Sequence, residues 1–531
     1  MKFRSARSVE RPAVLVFLAA QVAILAVRHF TYFSELFRYP TRLASGHLGG
    51  AGSSLPLLLG VLGVAALWAG RPWSWDRFAT AGLANLAASG LTVYVAALAT
   101  GRLFAWLPWA VLAISTALAA VTVHPASSAH AASSPRAPLS PFDALSALFL
   151  STLLIPSVFP YVAFDAKLIW AWRAYAMRDD GFAVAVTRVL RPEYPPLDSI
   201  LLWLGIGDPL FEGRLIMWLL LVLFALFFRA RLARIAPRLA PAGLLFLLAT
   251  VHVWQGIATF YADVPLMVFV VAGSLLVLGL PTGSGAGPSR LDRAAGALCL
   301  AAAVLVRPDG AATLAVVGLA VLWRARPAGR TAWLPAVAAL AAWGSWVLRP
   351  ASLRPAADGF RFFANSGGWR EAGEAPGAAI AETAGTYLNA LQGQWLAHYG
   401  LGAAVWLIIF VAAQRALARK TAGANPWEDE TRLYGAASFL SLAAVALIYA
   451  VLPFTTDVRA AVAPDVYPTW LLAFRNFARV GMGRMAVHMF PFWILYAVCA
   501  GAAAALELGE RYRSPRDSMS MLVSNRSSAS A

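Results

Sequence analysis

Apolar runs of roughly 14 to 20 residues recur along the whole chain, and this constrains the fold more than any other feature. Leu215 to Phe228, Val264 to Leu280 and Tyr434 to Leu452 are such runs, and with their flanks each is long enough to cross about 30 Å of hydrocarbon as a helix. Of 531 residues 60% are apolar and only 13% charged, with a mean hydropathy of +0.66. A water-soluble fold could not keep that balance off its surface, so the solvent must be lipid. Helices satisfy their own backbone polar groups in lipid, whereas membrane strands would show a period-two alternation that these runs lack. The sequence therefore predicts an all-α, polytopic transmembrane bundle with no independently folding soluble domain.

About fourteen spans are expected, starting near residues 12, 53, 78, 103, 143, 213, 241, 264, 294, 311, 331, 400, 432 and 486. Lys2, Arg4, Arg7 and Arg11 precede the apolar stretch Pro12 to Val27 in the manner of a signal peptide. The continuation Arg28-His29-Phe30 offers no small-residue cleavage site, which favours a retained first helix. With the N-terminus inside, the inner segments are 1–11, 70–78, 123–143, 229–238, 281–293, 324–330, 415–432 and the tail from 507. They hold 24 of the 43 Lys and Arg but only 10 of the 26 Asp and Glu, the bias that sets cytoplasmic loops. Both termini are thereby expected in the cytoplasm of a bacterial inner membrane. The formal charge of +17 is scattered through these loops and not gathered on one face, which argues against nucleic acid as a partner. Cys299 and Cys499 each lie within an apolar run and read as packing residues.

Three long segments, 164–212, 349–399 and 453–485, then face the periplasm, as an enzyme working at the outer interface would need. The first opens on Asp165-Ala166-Lys167-Leu168-Ile169-Trp170-Ala171-Trp172-Arg173-Ala174-Tyr175. At helical spacing Asp165, Leu168, Trp172 and Tyr175 share a face, predicting an amphipathic helix in the interface with a carboxylate at the mouth of the bundle. The plainer alternative is a juxtamembrane helix with Asp165 solvated or paired with Lys167 or Arg173. Arg191-Pro192-Glu193-Tyr194-Pro195-Pro196-Leu197-Asp198 follows, where the prolines enforce extended or turn backbone, fit to wall a cleft or simply to precede a helix.

Asp263, just ahead of Pro265, is suited to cap a new outer-side helix. Arg307-Pro308-Asp309-Gly310 breaks two short apolar runs, and an arginine near membrane depth calls for an anionic partner, either Asp309 or a lipid phosphate. Arg484 and His488, four apart at the start of the last span, could bind a phosphate together. The alternative is a snorkelling arginine beside a packed histidine. No metal-ligand cluster, phosphate-binding glycine loop or nucleophile elbow is present in the sequence.

In order, these stations resemble the membrane-embedded GT-C glycosyltransferases, in particular the protein O-mannosyltransferase-like and aminoarabinose-transferase-like branch. The match comprises Asp165 leading Trp170, Trp172 and Arg173; Tyr194-Pro195-Pro196-Leu197; Ala262-Asp263-Val264-Pro265; Arg307-Pro308-Asp309-Gly310; and Arg484, His488 and Pro491. It covers residues 143–506, leaving 1–142 as an additional four-helix membrane region and 507–531 as a flexible cytoplasmic tail. Two features differ from the family's pattern: four spans precede the carboxylate helix, and Asp165 stands without a second acidic neighbour. The resemblance implies transfer of a sugar from a polyprenyl-phosphate carrier to a lipid, glycan or protein acceptor at the periplasmic face. Asp165 would be the base; Lys167, Trp172, Arg173, Glu193, Tyr194, Asp263, Arg307, Arg484 and His488 would bind substrate. No cofactor is implied, and a divalent cation is compatible with the pattern without being demanded by it. The rival expectations are a transporter or flippase of lipid-linked saccharide and a non-catalytic protein of envelope assembly.

Overall fold

A computed structural model describes residues 51–70, 73–123, 140–158, 166–189, 194–204, 212–237, 239–248, 262–278, 288–307, 309–324, 334–354, 431–440, 488 and 490–499, with a few isolated positions besides. Among the described residues every regular element is helical and no strand occurs. The helices are α1 (Ala51–Ala69), α2 (Trp75–Thr100), α3 (Leu107–Val123), α4 (Pro141–Val158), α5 (Trp172–Asp179), α6 (Phe182–Thr187), α7 (Leu197–Trp203), α8 (Glu212–Ile235) and α9 (Ala240–Leu248). They continue as α10 (Asp263–Leu278), α11 (Arg290–Val306), α12 (Asp309–Arg324), α13 (Leu334–Val347), α14 (431–440) and α15 (Phe490–Cys499).

By length and composition two of these can cross a membrane, Trp75–Thr100 and the Leu215–Ile235 stretch of α8. Several shorter apolar helices accompany them, among them Leu107–Thr122, Asp263–Leu278 and Pro335–Val347. The helix starts follow the apolar periodicity closely; the expected spans near residues 12 and 400 lie outside the described residues.

Sequence signals at the ends explain where the helices begin and stop. Ser74 caps α2, accepting from the Arg77 N–H at 3.3 Å, and Gly101 closes that helix at φ 71°, donating its N–H to the Ala97 carbonyl at 2.8 Å. At α11 Ser289 and Asp292 cap each other's backbone N–H in a Ser-x-x-acid capping box.

α2 is the organising helix. It packs with α1, α3, α7, α8 and α11. α10 is buried from Asp263 through Leu276, as expected of a helix hydrophobic all round. It lies against α11, where Gly273 and Gly296 face each other; a methyl on Gly296 would stand 3.0 Å from the Gly273 carbonyl oxygen. The missing side chains allow this close approach of backbones. Single polar links tie the helices across lipid-like surroundings: Trp68 Nε1 donates to Ser115 Oγ at 3.0 Å, Trp218 Nε1 to the Leu150 carbonyl at 2.8 Å, and Tyr94 Oη lies 2.9 Å from Ser345 Oγ.

Charge is concentrated at the two ends of this bundle. At one end Asp76 in the first turn of α2 receives Arg231 Nε at 2.9 Å and Arg234, both from the last turns of α8. Beside it Arg229 reaches Asp143 at the start of α4, with Nη2 to Oδ2 at 2.8 Å. At about 1.5 Å per residue, the length of α11 separates this end from the opposite one by about 25 Å.

Candidate functional site

The opposite end is assembled from the break between α11 and α12, the start of α10, the last helix and the short helices α5 and α7. α11 stops at Val306, and Arg307 adopts extended backbone (φ −150°, ψ 157°) before α12 resumes at Asp309. The proline that follows Arg307 disfavours helical backbone at that arginine, so the break is written in the sequence. Gly310 lets α12 start tight against α11, because a methyl there would come within 2.4 Å of the Ala303 carbonyl oxygen.

The break aims Arg307 back into the bundle. Its Nη1 pairs with Asp263 Oδ1, and its Nε lies 3.0 Å from Asp309 Oδ1. The second contact is close enough for an ion pair but misaligned for a hydrogen bond, leaving both Asp309 oxygens without a hydrogen-bond partner. His488 Nε2 sits 3.1 Å from Asp263 Oδ1, and its Nδ1 lies 3.8 Å from Asp309 Oδ2. Asp263 is 2% exposed and His488 2%, so this is a buried cluster with Arg307 and Asp309 at its rim. Asp263 is the first residue of α10, and its carboxylate serves residues 44 and 225 positions away.

The segment that follows α4 turns differently from expectation. Residues Ala166–Ala171 form a π-helical turn, wider than the 3.6-residue period on which the shared face of Asp165, Leu168, Trp172 and Tyr175 relied. Trp172 is 58% exposed, while Trp170, Ala174 and Arg173 turn inward, and Arg173 is fully buried. Arg173 does not wait for a solvent partner; its Nη1 donates to the Tyr194 carbonyl at 3.0 Å. Tyr194 in turn stacks on Trp170, ring centroids 5.6 Å apart. Arg173 and Tyr194, 21 residues apart, are thus brought together as a wall. Asp165, Glu193 and Arg484 lie outside the described residues, as does the side chain of Lys167.

Asp198 is the member that sequence reasoning did not single out. It follows Pro195-Pro196 in the first turn of α7, is 1% exposed, and has no hydrogen-bond partner on either oxygen. Burial pushes its carboxyl up to about 8, against the pull of Arg307 and Arg173 and with a smaller push from Asp263. Local sequence made it an unremarkable helix-start acid; only the packing of α7 against α2, α5, α8 and α11 encloses it.

Among the described residues no group of three or more His, Cys, Asp or Glu is arranged to hold a metal ion. Chemically the cluster can hold a charge in place and present a guanidinium at its rim. No family model, no curated protein and no solved structure matches the chain. Among the described residues, fold and site define the class only as all-helical, with two membrane-crossing candidates and a buried ionic cluster at one end.

Proposed function

We propose that the chain is an inverting glycosyltransferase of the bacterial inner membrane, moving a sugar from a polyprenyl-phosphate carrier to an acceptor at the periplasmic face. The observation that carries the reading is the convergence of Asp263, Arg307 with Asp309, and His488, three stations far apart in sequence, in one buried cluster. Arg173 on the Tyr194 carbonyl adds a fourth and fifth station to the same end. Such convergence is what a site built from dispersed loops requires and what independent capping or snorkelling residues would not produce.

In this reading Asp165 takes the proton of the acceptor hydroxyl as its oxygen attacks the anomeric carbon from the face opposite the phosphate. The bond from that carbon to the phosphate oxygen breaks, and the carrier leaves with the electron pair as a polyprenyl phosphate. A guanidinium suits the charge that grows on the leaving group, and Asp263 and Asp309 hold Arg307 at the rim for it. Arg484 and His488 are assigned as further donors to the phosphate, and Lys167, Glu193 and Trp172 as substrate-binding residues. Both termini then lie in the cytoplasm.

A deletion strain tests this: it accumulates the polyprenyl-phosphate sugar and lacks one envelope glycan. Complementation with Asp165→Asn, which keeps size and removes the base, leaves both defects in place while the protein accumulates normally. Restoration of the glycan by that variant removes Asp165 from the chemistry, and an unchanged carrier pool in the deletion strain removes the activity.

A further inference from the structure

The reaction scheme above uses one end of the bundle. The α2–α8 end has no part in it, yet carries more cations than its own carboxylates pair with. α2 and α8 contain the two stretches able to cross a membrane; α2 begins at this end and α8 finishes there. Asp76 takes both Arg231 and Arg234, and Asp143 takes Arg229. Asp292 stands 3.9 Å from Arg231, but it also caps Ser289 and is flanked along α11 by Arg290 and Arg293. Arg77 is exposed and makes no ion pair among the described residues, and the Arg234 side chain is 39% exposed. Both adjoin Asp76, one as its chain neighbour and the other as its partner. Just ahead of them Trp73 and Trp75 are 45% and 53% exposed, yet each packs on Phe78, with ring centroids 5.4 and 5.8 Å apart. The two indoles also meet edge to face at 5.4 Å. Large aromatic rings fixed at a helix end but left open suit the boundary between hydrocarbon and headgroups, which accommodates an apolar body and a polar N–H together.

We propose that residues 73–77 together with Arg234 form a binding surface for an anionic phospholipid, its phosphodiester held by Arg77 and Arg234 and its glycerol region set against the two indoles. The inference does not depend on the glycosyltransferase reading. Preference for an anionic headgroup follows from the charge: choline brings its own cation to a surface already in surplus, whereas phosphatidylglycerol brings a net negative charge. Guanidinium groups match phosphate oxygens in shape as well as in charge. The other end of α2 supplies an internal comparison. Arg102 and Trp106, both exposed, repeat the combination of cation and indole there with a single arginine in that segment.

The test is native mass spectrometry of the full-length protein in detergent, titrated with dioleoylphosphatidylglycerol or dioleoylphosphatidylcholine. The parent binds phosphatidylglycerol several-fold more tightly than phosphatidylcholine. Arg77→Gln, at an exposed position without an ion pair, melts like the parent and weakens phosphatidylglycerol binding about fivefold, the worth of one arginine at an anionic surface. Adding Arg234→Gln brings the affinity down to that for phosphatidylcholine. Arg102→Gln removes the same charge from the other end of α2 and leaves binding unchanged. Equal binding of the two lipids by the parent, or equal effects of Arg77→Gln and Arg102→Gln, overturns the proposal. Glycerol 1-phosphate, which carries a phosphate without acyl chains, does not displace the lipid at equal concentration; full displacement makes this a site for free phosphate and overturns the lipid assignment. A short DNA duplex that binds the parent and is released by Arg77→Gln assigns the surface to nucleic acid and overturns it as well. No sugar transfer enters these measurements, so their failure leaves the glycosyltransferase reading standing.

Discussion

The two charged ends of the bundle are built from the same residue types and differ in how completely they are paired. At the α2–α8 end Asp76 has two arginines and Asp143 has its own, and Arg231 also lies over the Phe227 ring, 4.9 Å from its centre. At the α10–α12 end Asp263 and Asp309 share Arg307, Asp309 is misaligned for hydrogen bonding, and Asp198 has no partner. Buried polar groups are ordinarily satisfied, and a structural ion-pair network shows that property at the first end. In the proposed reading, the unsatisfied carboxyls at the second end belong to a binding site and not to a structural network.

Removing single charges breaks or sharpens this contrast. Arg307→Ala leaves Asp263 and Asp309 buried without their shared cation and costs about 3–5 kcal/mol of stability. Asp76→Ala strands Arg231, which keeps the Phe227 ring and Asp292 at 3.9 Å, and costs roughly 1–3 kcal/mol. Thermal unfolding of both in one detergent measures the difference; a larger loss for Asp76→Ala inverts the comparison. Gly310→Ala forces a methyl toward the Ala303 carbonyl and costs about 1–3 kcal/mol while also displacing Arg307. Unchanged melting there means that the helix break is not held by close packing.

Much of the architecture is legible from local rules. The helix starts follow the apolar runs, the Ser289-Asp292 box marks α11, and Arg307-Pro308 marks the break between α11 and α12. Of the site, Asp263, Arg307 and His488 were recognisable as charged or titratable residues at helix starts and breaks, and the structure brings them together. The facing of Trp172 and Arg173 was not legible, because a π turn changes the angular register without any proline or glycine to announce it. Asp198 was not legible either. Its significance arises from α2, α8 and α11 closing over a seven-residue helix, and no spacing within Pro195-Pro196-Leu197-Asp198 reports such a contact.

Turnover of a polyprenyl-phosphate sugar by the purified protein in liposomes, compared between Asp263→Asn and Asp76→Asn, tests most directly that one end works while the other holds the fold. Asp263→Asn weakens the hold on Arg307 and His488 and lowers transfer by at least about 100-fold, in the range of a lost electrostatic contact in an active site. Asp76→Asn loosens the opposite end and leaves transfer within about twofold of the parent in protein that remains folded. Parent-like turnover by Asp263→Asn, or loss of turnover in folded Asp76→Asn, would contradict the assignment of the site to the α10–α12 end.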